Sequence, residues 1–149
     1  MTKGPIEEMD YLEAVRKLLK RSPFSSWLGV EVTACKDGYA ELTMTIRKDH
    51  AQSHGYVHGA VIGGVTDIVS ACAASTVAGR VMTAEYKINF LRPAIGEWLV
   101  ARSQVLKASA RQAVCRTDVF AVKDGRETMA ATALVTMMPV QDDGFLEQS

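Results

Sequence analysis

One segment of this chain is too apolar to lie on the surface of a protein. Residues 60–78 contain a single charged side chain, Asp67, and the pattern predicts a helix that is apolar on every side. Such a helix must be covered on every side. Gly63, Gly64 and Asp67 are unfit for lipid, so we expect a buried core helix and not a membrane span. The rest of the chain must supply the enclosing surface.

The segments around this helix favour strands. Strand-like patterns cover residues 30–35, 39–46, 82–91, 98–106, 113–122 and 128–137. Asp37-Gly38 and Asp124-Gly125 each separate two of these segments, and Asp-Gly between strands is a strong hairpin signal. We therefore expect an α+β fold in which a curved antiparallel sheet wraps around the long helix.

The strand after the long helix has the most regular alternation. Its pattern puts one set of side chains on one face and a second set on the other. The first set is Met82, Ala84, Tyr86, Ile88 and Phe90, and the second is Thr83, Glu85, Lys87 and Asn89. The sequence thus predicts that Thr83 and Tyr86 lie on opposite faces.

The N-terminal region predicts an additional helix outside the sheet. Residues 6–21 place an apolar face at helical spacing, and Ser22-Pro23 ends the segment because proline disfavours helical geometry in the residue before it. We expect an N-terminal helical extension over 1–23, one domain over 24–139 and a polar tail over 140–149.

Composition excludes several classes of protein. A chain of 149 residues fits one compact domain, and its 17 basic and 17 acidic residues give no net field to attract nucleic acid or a membrane. Cys35, Cys72 and Cys115 are far apart, with no CxxC pair, so neither disulfides nor a structural zinc site is expected. Reduced thiols and a polar, acidic N-terminus predict a cytoplasmic protein.

Asp67 lies on a face of the predicted helix where every other residue is small. We call this face the small-residue stripe; its members are Ala60, Gly63, Gly64, Asp67, Ala71, Ala74 and Ala78. The bulky residues Val61, Val65, Ile68, Val69 and Cys72 lie opposite and should face the sheet. Two interpretations remain open: close helix packing across a dimer, with Asp67 capping a buried group, or a site in which Asp67 faces a ligand.

All three histidines, His50, His54 and His58, precede the helix. Their spacing would suit a metal site on a helix, but Gly55 and Gly59 and the polar residues around them favour a loop, in which hydrogen bonds that anchor the loop are the commoner role. His58 lies at the predicted helix start, next to Gly59. Backbone N–H groups there have no helical partner and suit a developing oxyanion.

These residues together resemble a known family. The run His50-x-Gln52-x-x-Gly55-x-x-His58-Gly59-Ala60, followed by Asp67, resembles the H-x-N-x-x-G-x-x-H-G-G pattern and helix aspartate of hotdog-fold thioesterases. The most similar group is the PaaI-like (phenylacetate-pathway) acyl-CoA thioesterases. Residues 83–97 resemble that family's strand and turn after the helix. The resemblance covers roughly residues 24–138 and implies the hotdog fold.

The resemblance implies a catalytic role for four residues. Asp67 would be the general base, or less favourably the nucleophile, and Thr83 would help it hold the attacking water. The Gly59 backbone N–H would bind the oxyanion. Gln52 occupies the usual asparagine position and would polarise the same carbonyl, while Ala60 replaces the family's second glycine.

The resemblance also implies how substrate and subunits are arranged. His58 would brace the loop beside Gly55 and Ala60 at the substrate. No metal or prosthetic group is needed, since CoA is part of the substrate. The loop of one subunit would face the acid of its partner, so we expect a homodimer or a homotetramer.

Three basic residues and two glycines are further candidates for substrate contacts. Arg92, Lys107 and Arg111 could meet the CoA phosphates, although ordinary surface charge is the alternative for each. Gly63 and Gly64 suggest room for a bulky or aromatic acyl group.

Three other functions remain to be weighed. A non-catalytic acyl-CoA sensor on the same fold would bind ligand without needing a base. A hydratase or dehydratase would need a differently placed histidine and acid. A structural dimer would leave Asp67 and the small-residue stripe unexplained.

Overall fold

The computed structural model describes residues 5–141, with side chains from residue 11 onward. Its elements, in chain order, are α1 (Pro5–Arg21), α2 (Pro23–Leu28), β1 (Val30–Lys36), β2 (Tyr39–Thr45), a turn of 3-10 helix (Lys48–His50), α3 (Gly59–Ala78), β3 (Val81–Phe90), β4 (Trp98–Ala108), β5 (Ala113–Lys123) and β6 (Arg126–Pro139). Residues 142–149 of the predicted polar tail lie outside the described residues.

The strands form one sheet that encloses α3. Their order is β1-β2-β4-β5-β6-β3, and every neighbouring pair is antiparallel. α3 contacts all six strands, so the sheet wraps around the helix. The predicted α+β architecture, a curved antiparallel sheet around a long helix with an extra N-terminal helix, is confirmed.

The two Asp-Gly turns explain part of this topology. Asp37 and Gly38 have φ angles of 50° and 77°, and Asp124 and Gly125 have φ angles of 50° and 73°. Positive φ at both central residues is the requirement of the turn whose twist matches a hairpin. These turns join β1 to β2 and β5 to β6, as the sequence predicts.

The bulky face of α3 forms the centre of the core. Val65 and Val69 are completely buried, and Leu42, Met44 and Leu99 of the sheet are equally buried in the same cluster. By length and composition α3 could cross a membrane, but most of it is buried inside the protein. It is therefore a core helix, as its glycines and Asp67 indicate.

Buried hydroxyl groups fix the position of α3 along the sheet. Ser70 Oγ lies 2.6 Å from Thr117 Oγ1 on β5, and Thr117 donates to Ser103 Oγ on β4 at 2.8 Å. All three residues are buried, and buried hydroxyl groups are costly unless they are paired. This chain of hydrogen bonds starts one helical turn after Asp67. It therefore fixes the position of Asp67 relative to the strands.

The N-terminal region contains one helix more than the sequence predicts. Pro23 both ends α1 and begins α2, because proline is well suited to the first position of a helix. The Arg16 side chain donates to the Val32 carbonyl at 2.9 Å, which ties α1 to β1. Phe24 of α2 packs beside Gly64, so the N-terminal helices cover the side of α3 that the sheet leaves open.

The regular alternation predicted for β3 is wrong at one position. The pairing of β3 with β6 shifts between Thr83 and Glu85, where Ala84 is an extra residue. Such a bulge re-aims the side chains on either side of it. Thr83 therefore contacts α3, and so do Tyr86 and Phe90 beyond the bulge.

Candidate active site

His58 caps the start of α3 and leaves one amide without an acceptor. Its Nδ1 accepts a hydrogen bond from the Ala60 N–H at 2.9 Å. Its carbonyl accepts from Val61 and Ile62 at 2.9 and 3.2 Å. The Gly59 N–H is a first-turn amide for which the helix offers no acceptor. It is available to an anion or an oxyanion, at the positive end of the helix dipole.

The loop before α3 is held by its own hydrogen bonds. The His58 N–H donates to the His50 carbonyl at 2.8 Å, and the Gln52 N–H donates to the Tyr56 carbonyl at 2.8 Å. Gly55 turns the loop with a φ of 86°. The Gln52 side-chain oxygen accepts from the His54 N–H, which leaves the NH₂ group of Gln52 to donate elsewhere.

The three histidines have separate environments. His50 is completely buried, His54 is exposed, and His58 caps α3. Within residues 11–141, no group of three or more His, Cys, Asp or Glu side chains is placed to hold a metal ion.

His50 anchors the loop from inside the protein. Its Nδ1 accepts from the Arg47 N–H at 3.1 Å, so its proton lies on Nε2, for which the described part of the chain offers no acceptor. The ring meets the Trp27 ring edge-on, with centroids 5.4 Å apart. Burial and the nearby Arg47 charge lower the pKa of His50, against the opposing effect of Asp49, and favour the neutral ring.

Asp67 is half-buried and receives a directed hydrogen bond. The Thr83 hydroxyl donates to Asp67 Oδ1, and the second carboxylate oxygen has no partner among the described residues. The bulge in β3 brings these two side chains together. The arrangement fixes the rotation of the carboxylate and leaves one oxygen free to accept a proton.

Aromatic side chains of the same chain fill much of the space beside the small-residue stripe. A Cβ atom at Gly63 would lie 2.9 Å from the Tyr86 hydroxyl, and one at Gly64 would lie 3.1 Å from the Phe24 ring. Phe90 similarly covers Gly59. Gly63 and Gly64 thus accommodate Tyr86 and Phe24 of the same chain, and the acyl group predicted beside them stays a prediction.

A single chain does not bring the loop residues to the aspartate. Gly59 and Asp67 are eight residues apart on α3, which is about 12 Å along the helix axis. Gln52, Gly59 and Arg92 line one hollow of about 350 Å³. Asp67 lines a different one of about 500 Å³ with residues of α1 and α3. Each chain therefore presents two separate hollows, one beside the loop residues and one beside the carboxylate, which we call the loop half-site and the acid half-site.

The three predicted phosphate contacts do not cluster in one chain. Arg92 follows β3, and its guanidinium donates to the Met129 carbonyl at 3.2 Å. Lys107 is near the end of β4, and Arg111 is in the turn between β4 and β5, at the end of the sheet where β3 begins. Arg92 alone of the three lines the hollow with Gln52 and Gly59.

A curved antiparallel sheet around one long helix is the hotdog fold, and the chain is a thioester hydrolase of that fold. A sequence model of the Thioesterase superfamily matches residues 54–128, and the chain belongs to that family. The match includes the start of α3, Asp67 and Thr83.

Individual relatives agree with this family. A thioesterase family protein from Silicibacter pomeroyi has a crystal structure that superposes with a TM-score of 0.81 at 32% identity, covering 86% of this chain and 96% of the other. The acyl-coenzyme A thioesterase PaaI of Escherichia coli strain K12 is 27% identical over 104 residues, 69% of this chain and 73% of PaaI. The solved E. coli PaaI structure has the same fold, with a TM-score of 0.80 at 18% identity, covering 90% of this chain and 96% of the other.

Proposed function

We propose that this thioester hydrolase cleaves acyl-CoA to a free acid and CoA, with Asp67 as the general base. The observation that carries the proposal is the carboxylate of Asp67, which is held by Thr83 on a helix that is otherwise uncharged. The acyl-coenzyme A thioesterase PaaI supports the substrate class, since it is a relative over 69% of this chain.

The proposed reaction needs one base and one set of donors. The free oxygen of Asp67 takes a proton from water as the water oxygen attacks the thioester carbonyl. The Gly59 N–H and the Gln52 NH₂ stabilise the resulting oxyanion. When the tetrahedral intermediate collapses, the C–S bond breaks and the thiolate of CoA receives a proton from Asp67 or solvent. Thiolate is a good leaving group, so the mechanism uses no metal or prosthetic group.

We propose that the two half-sites meet in a homodimer formed through β3. This strand is at the edge of the sheet, and Tyr86 and Phe90 are 41% and 54% exposed on it. Unpaired edges are templates for pairing with another strand. The proposed register is an antiparallel pairing of two β3 strands in which Phe90 of the partner subunit lies opposite Thr83. Phe90 covers Gly59 and Thr83 binds Asp67, so this pairing joins complementary half-sites.

The same proposal covers assembly and location. A tetramer would be a pair of such dimers. The remaining proposed substrate contacts are Gly55 and His58 in the loop and Ala60 in the first turn of α3, which β3 pairing would bring to the partner's Asp67. A cytoplasmic location agrees with Cys35, Cys72 and Cys115, which are buried free thiols.

Replacement of the base tests the mechanism. Asp67→Asn keeps the size and a hydrogen-bond acceptor for Thr83 but cannot take the proton. We expect turnover of acyl-CoA, measured by release of free thiol, to fall by about 10²–10⁴-fold. Circular dichroism and light scattering should show an unchanged fold and oligomer. Undiminished turnover would overturn the proposal.

A binding measurement separates the enzyme from a sensor. The wild-type protein should both bind a non-hydrolysable acyl-CoA thioether in calorimetry and hydrolyse the matching thioester. Binding without hydrolysis over a panel of acyl-CoAs would instead identify the sensor.

A further inference from the structure

A groove runs along α3 away from the catalytic carboxylate. α3 forms its floor from Asp67 through Ala71 to Ser75, α1 forms one wall, and the start of β3 at Val81 forms the other. Its volume is about 500 Å³, within the range of small-molecule sites. The groove therefore begins at the reacting group of the proposed site and leads away from the loop half-site.

One hydrogen bond crosses the far end of the groove. The Tyr11 hydroxyl of α1 lies 2.7 Å from Ser75 Oγ of α3. At the other end Phe24, which follows α1, packs beside Gly64, so α1 and α3 run antiparallel with the groove between them. The turn at Gly79 and Arg80 lies beyond the Tyr11–Ser75 contact and also lines the groove. The Tyr11–Ser75 hydrogen bond therefore spans the groove between α1 and α3, and α3 fixes the length of the part between Asp67 and this bond.

The lining of the groove is apolar between its two ends. Ala14, Val15 and Leu18 face it from α1, while Ile68, Ala71 and Cys72 face it from α3. The Cys72 thiol has its pKa raised to about 12 by burial and so stays neutral. A hydrocarbon gains free energy by leaving water for such a surface. A charged or strongly hydrated group would find no partner between Asp67 and Ser75.

The length of the groove sets the size of the group that fits. Asp67 and Ser75 are eight residues apart, about 12 Å along the helix axis. A saturated chain with bonds of about 1.5 Å advances about 1.3 Å per carbon, so about nine carbons span this distance. The space beside Gly63 and Gly64, which could have admitted an aromatic group, is occupied by Tyr86 and Phe24.

We propose that this groove takes the alkyl part of a straight-chain acyl group of medium length, about eight to ten carbons. This inference rests on the proposed function, because the groove is a substrate site only if Asp67 acts on the thioester. The α1 wall lies outside residues 54–128, which match the family. The N-terminal helix therefore takes part in setting the chain-length preference, and Tyr11 and Ser75 set its upper limit.

A chain-length profile of two enzymes tests the inference. kcat/KM is measured for CoA thioesters of four to sixteen carbons with the wild type and with Ala71→Phe, which fills the groove one turn from Asp67. We expect kcat/KM of the wild type to be highest for acyl groups of about eight to ten carbons. In the variant, kcat/KM for the optimal chain should fall at least about tenfold more than kcat/KM for the four-carbon chain. This difference corresponds to about 1.4 kcal/mol of selectivity. Val77→Phe is the matched control, since Val77 is on the same helix, is 49% exposed and does not line the groove.

A second variant covers the case in which Ala71→Phe does not fold. Leu18→Trp narrows the groove from the α1 wall, where the side chain is 65% exposed and the larger ring is easily accommodated. It should shift the optimum to shorter chains.

Failure of this inference is distinguishable from failure of the proposed function. A wild type that hydrolyses none of the thioesters would end the proposed function. A wild type that hydrolyses them with no optimum, or folded groove variants that keep its profile, would end the groove assignment alone.

Discussion

At the scale of single residues, the proposed role of Gly59 depends on its backbone N–H at the start of α3. It is the first residue of α3, and His58 before it has φ −62° and ψ 138°. That geometry suits the residue before a proline, and proline suits the first position of a helix. Gly59→Pro therefore removes the N–H with little change in the backbone. We expect kcat to fall by about 10²–10³-fold, the usual cost of one oxyanion donor.

Gly59→Ala is the control for that prediction. Both substitutions add a Cβ atom 3.3 Å from the Phe90 ring, but alanine keeps the N–H. Turnover of the alanine variant, followed by thiol release, should stay close to that of the wild type. Equal losses in both variants would show that crowding at Phe90, and not the amide, controls the rate.

We expect His50 to make the folded protein less stable in acid. Burial and Arg47 lower its pKa from the usual value of 6.5, although Asp49 opposes them. The unfolded chain therefore binds a proton at a higher pH than the folded chain does. Its contribution to stability is fully present above pH 6.5 and is lost as the pH falls from there through the folded pKa. Urea denaturation at a series of pH values from about 7.5 to 5 should show this decrease in the free energy of unfolding.

Two variants isolate the effect of that side chain. Asn at position 50 can accept the Arg47 N–H but does not titrate, so His50→Asn should flatten the pH dependence even if it lowers stability throughout. His54→Asn changes an exposed histidine of the same loop and should leave the slope unchanged. A slope that persists in His50→Asn would assign the acid sensitivity to other groups.

At the scale of elements, the sequence predicted what depends on composition and missed what depends on register. α3 was predicted to within a residue at its start because a long, mainly apolar run with one charge follows a polar loop, and both Asp-Gly hairpins follow from the φ angles these residues tolerate. The bulge at Ala84 has no signal in the alternating sequence, yet it turns Thr83 towards Asp67. The roles proposed for these two residues remain predictions.

The turn that leads into β4 depends on the absence of one side chain. A Cβ atom at Gly96 would lie 2.1 Å from the Val122 carbonyl oxygen and 2.7 Å from its carbon. The next amide, Glu97 N–H, donates to that same oxygen at 2.8 Å, so the turn cannot move away without losing this bond. Gly96→Ala should lower the free energy of unfolding by about 3 kcal/mol, as severe overpacking does.

Gly125→Ala is the matched control for the turn. Gly125 has a φ of 73° but open space around a Cβ atom, so only the left-handed backbone disfavours alanine, at a cost of about 1–2 kcal/mol. Denaturation in urea should rank Gly96→Ala as the less stable variant. The reverse order would mean that the Gly96 turn relaxes easily.

At the scale of the whole molecule, a single sequence cannot show which residues meet across subunits. The motif contains Gln52, Gly59 and Asp67 in one run, but the fold separates the donors from the acid by about 12 Å of helix. Arg92 similarly lies at the end of the sheet opposite Lys107 and Arg111. The resemblance predicted that a partner completes the site, and the exposed edge of β3 supplies a surface that could do so.

Mixing two inactive variants tests whether the active site is shared between subunits. Asp67→Asn lacks the acid and Gly59→Pro lacks the donor, so each homodimer has two defective sites. If the acid and the donor come from different subunits, a mixed dimer has one site with both defects and one intact site. Equal amounts of the two, exchanged through mild denaturation and refolding, should then recover about a quarter of wild-type turnover, because about half of the dimers are mixed. If both groups come from one subunit, every site in a mixed dimer keeps one defect, and turnover stays at the level of the separate variants.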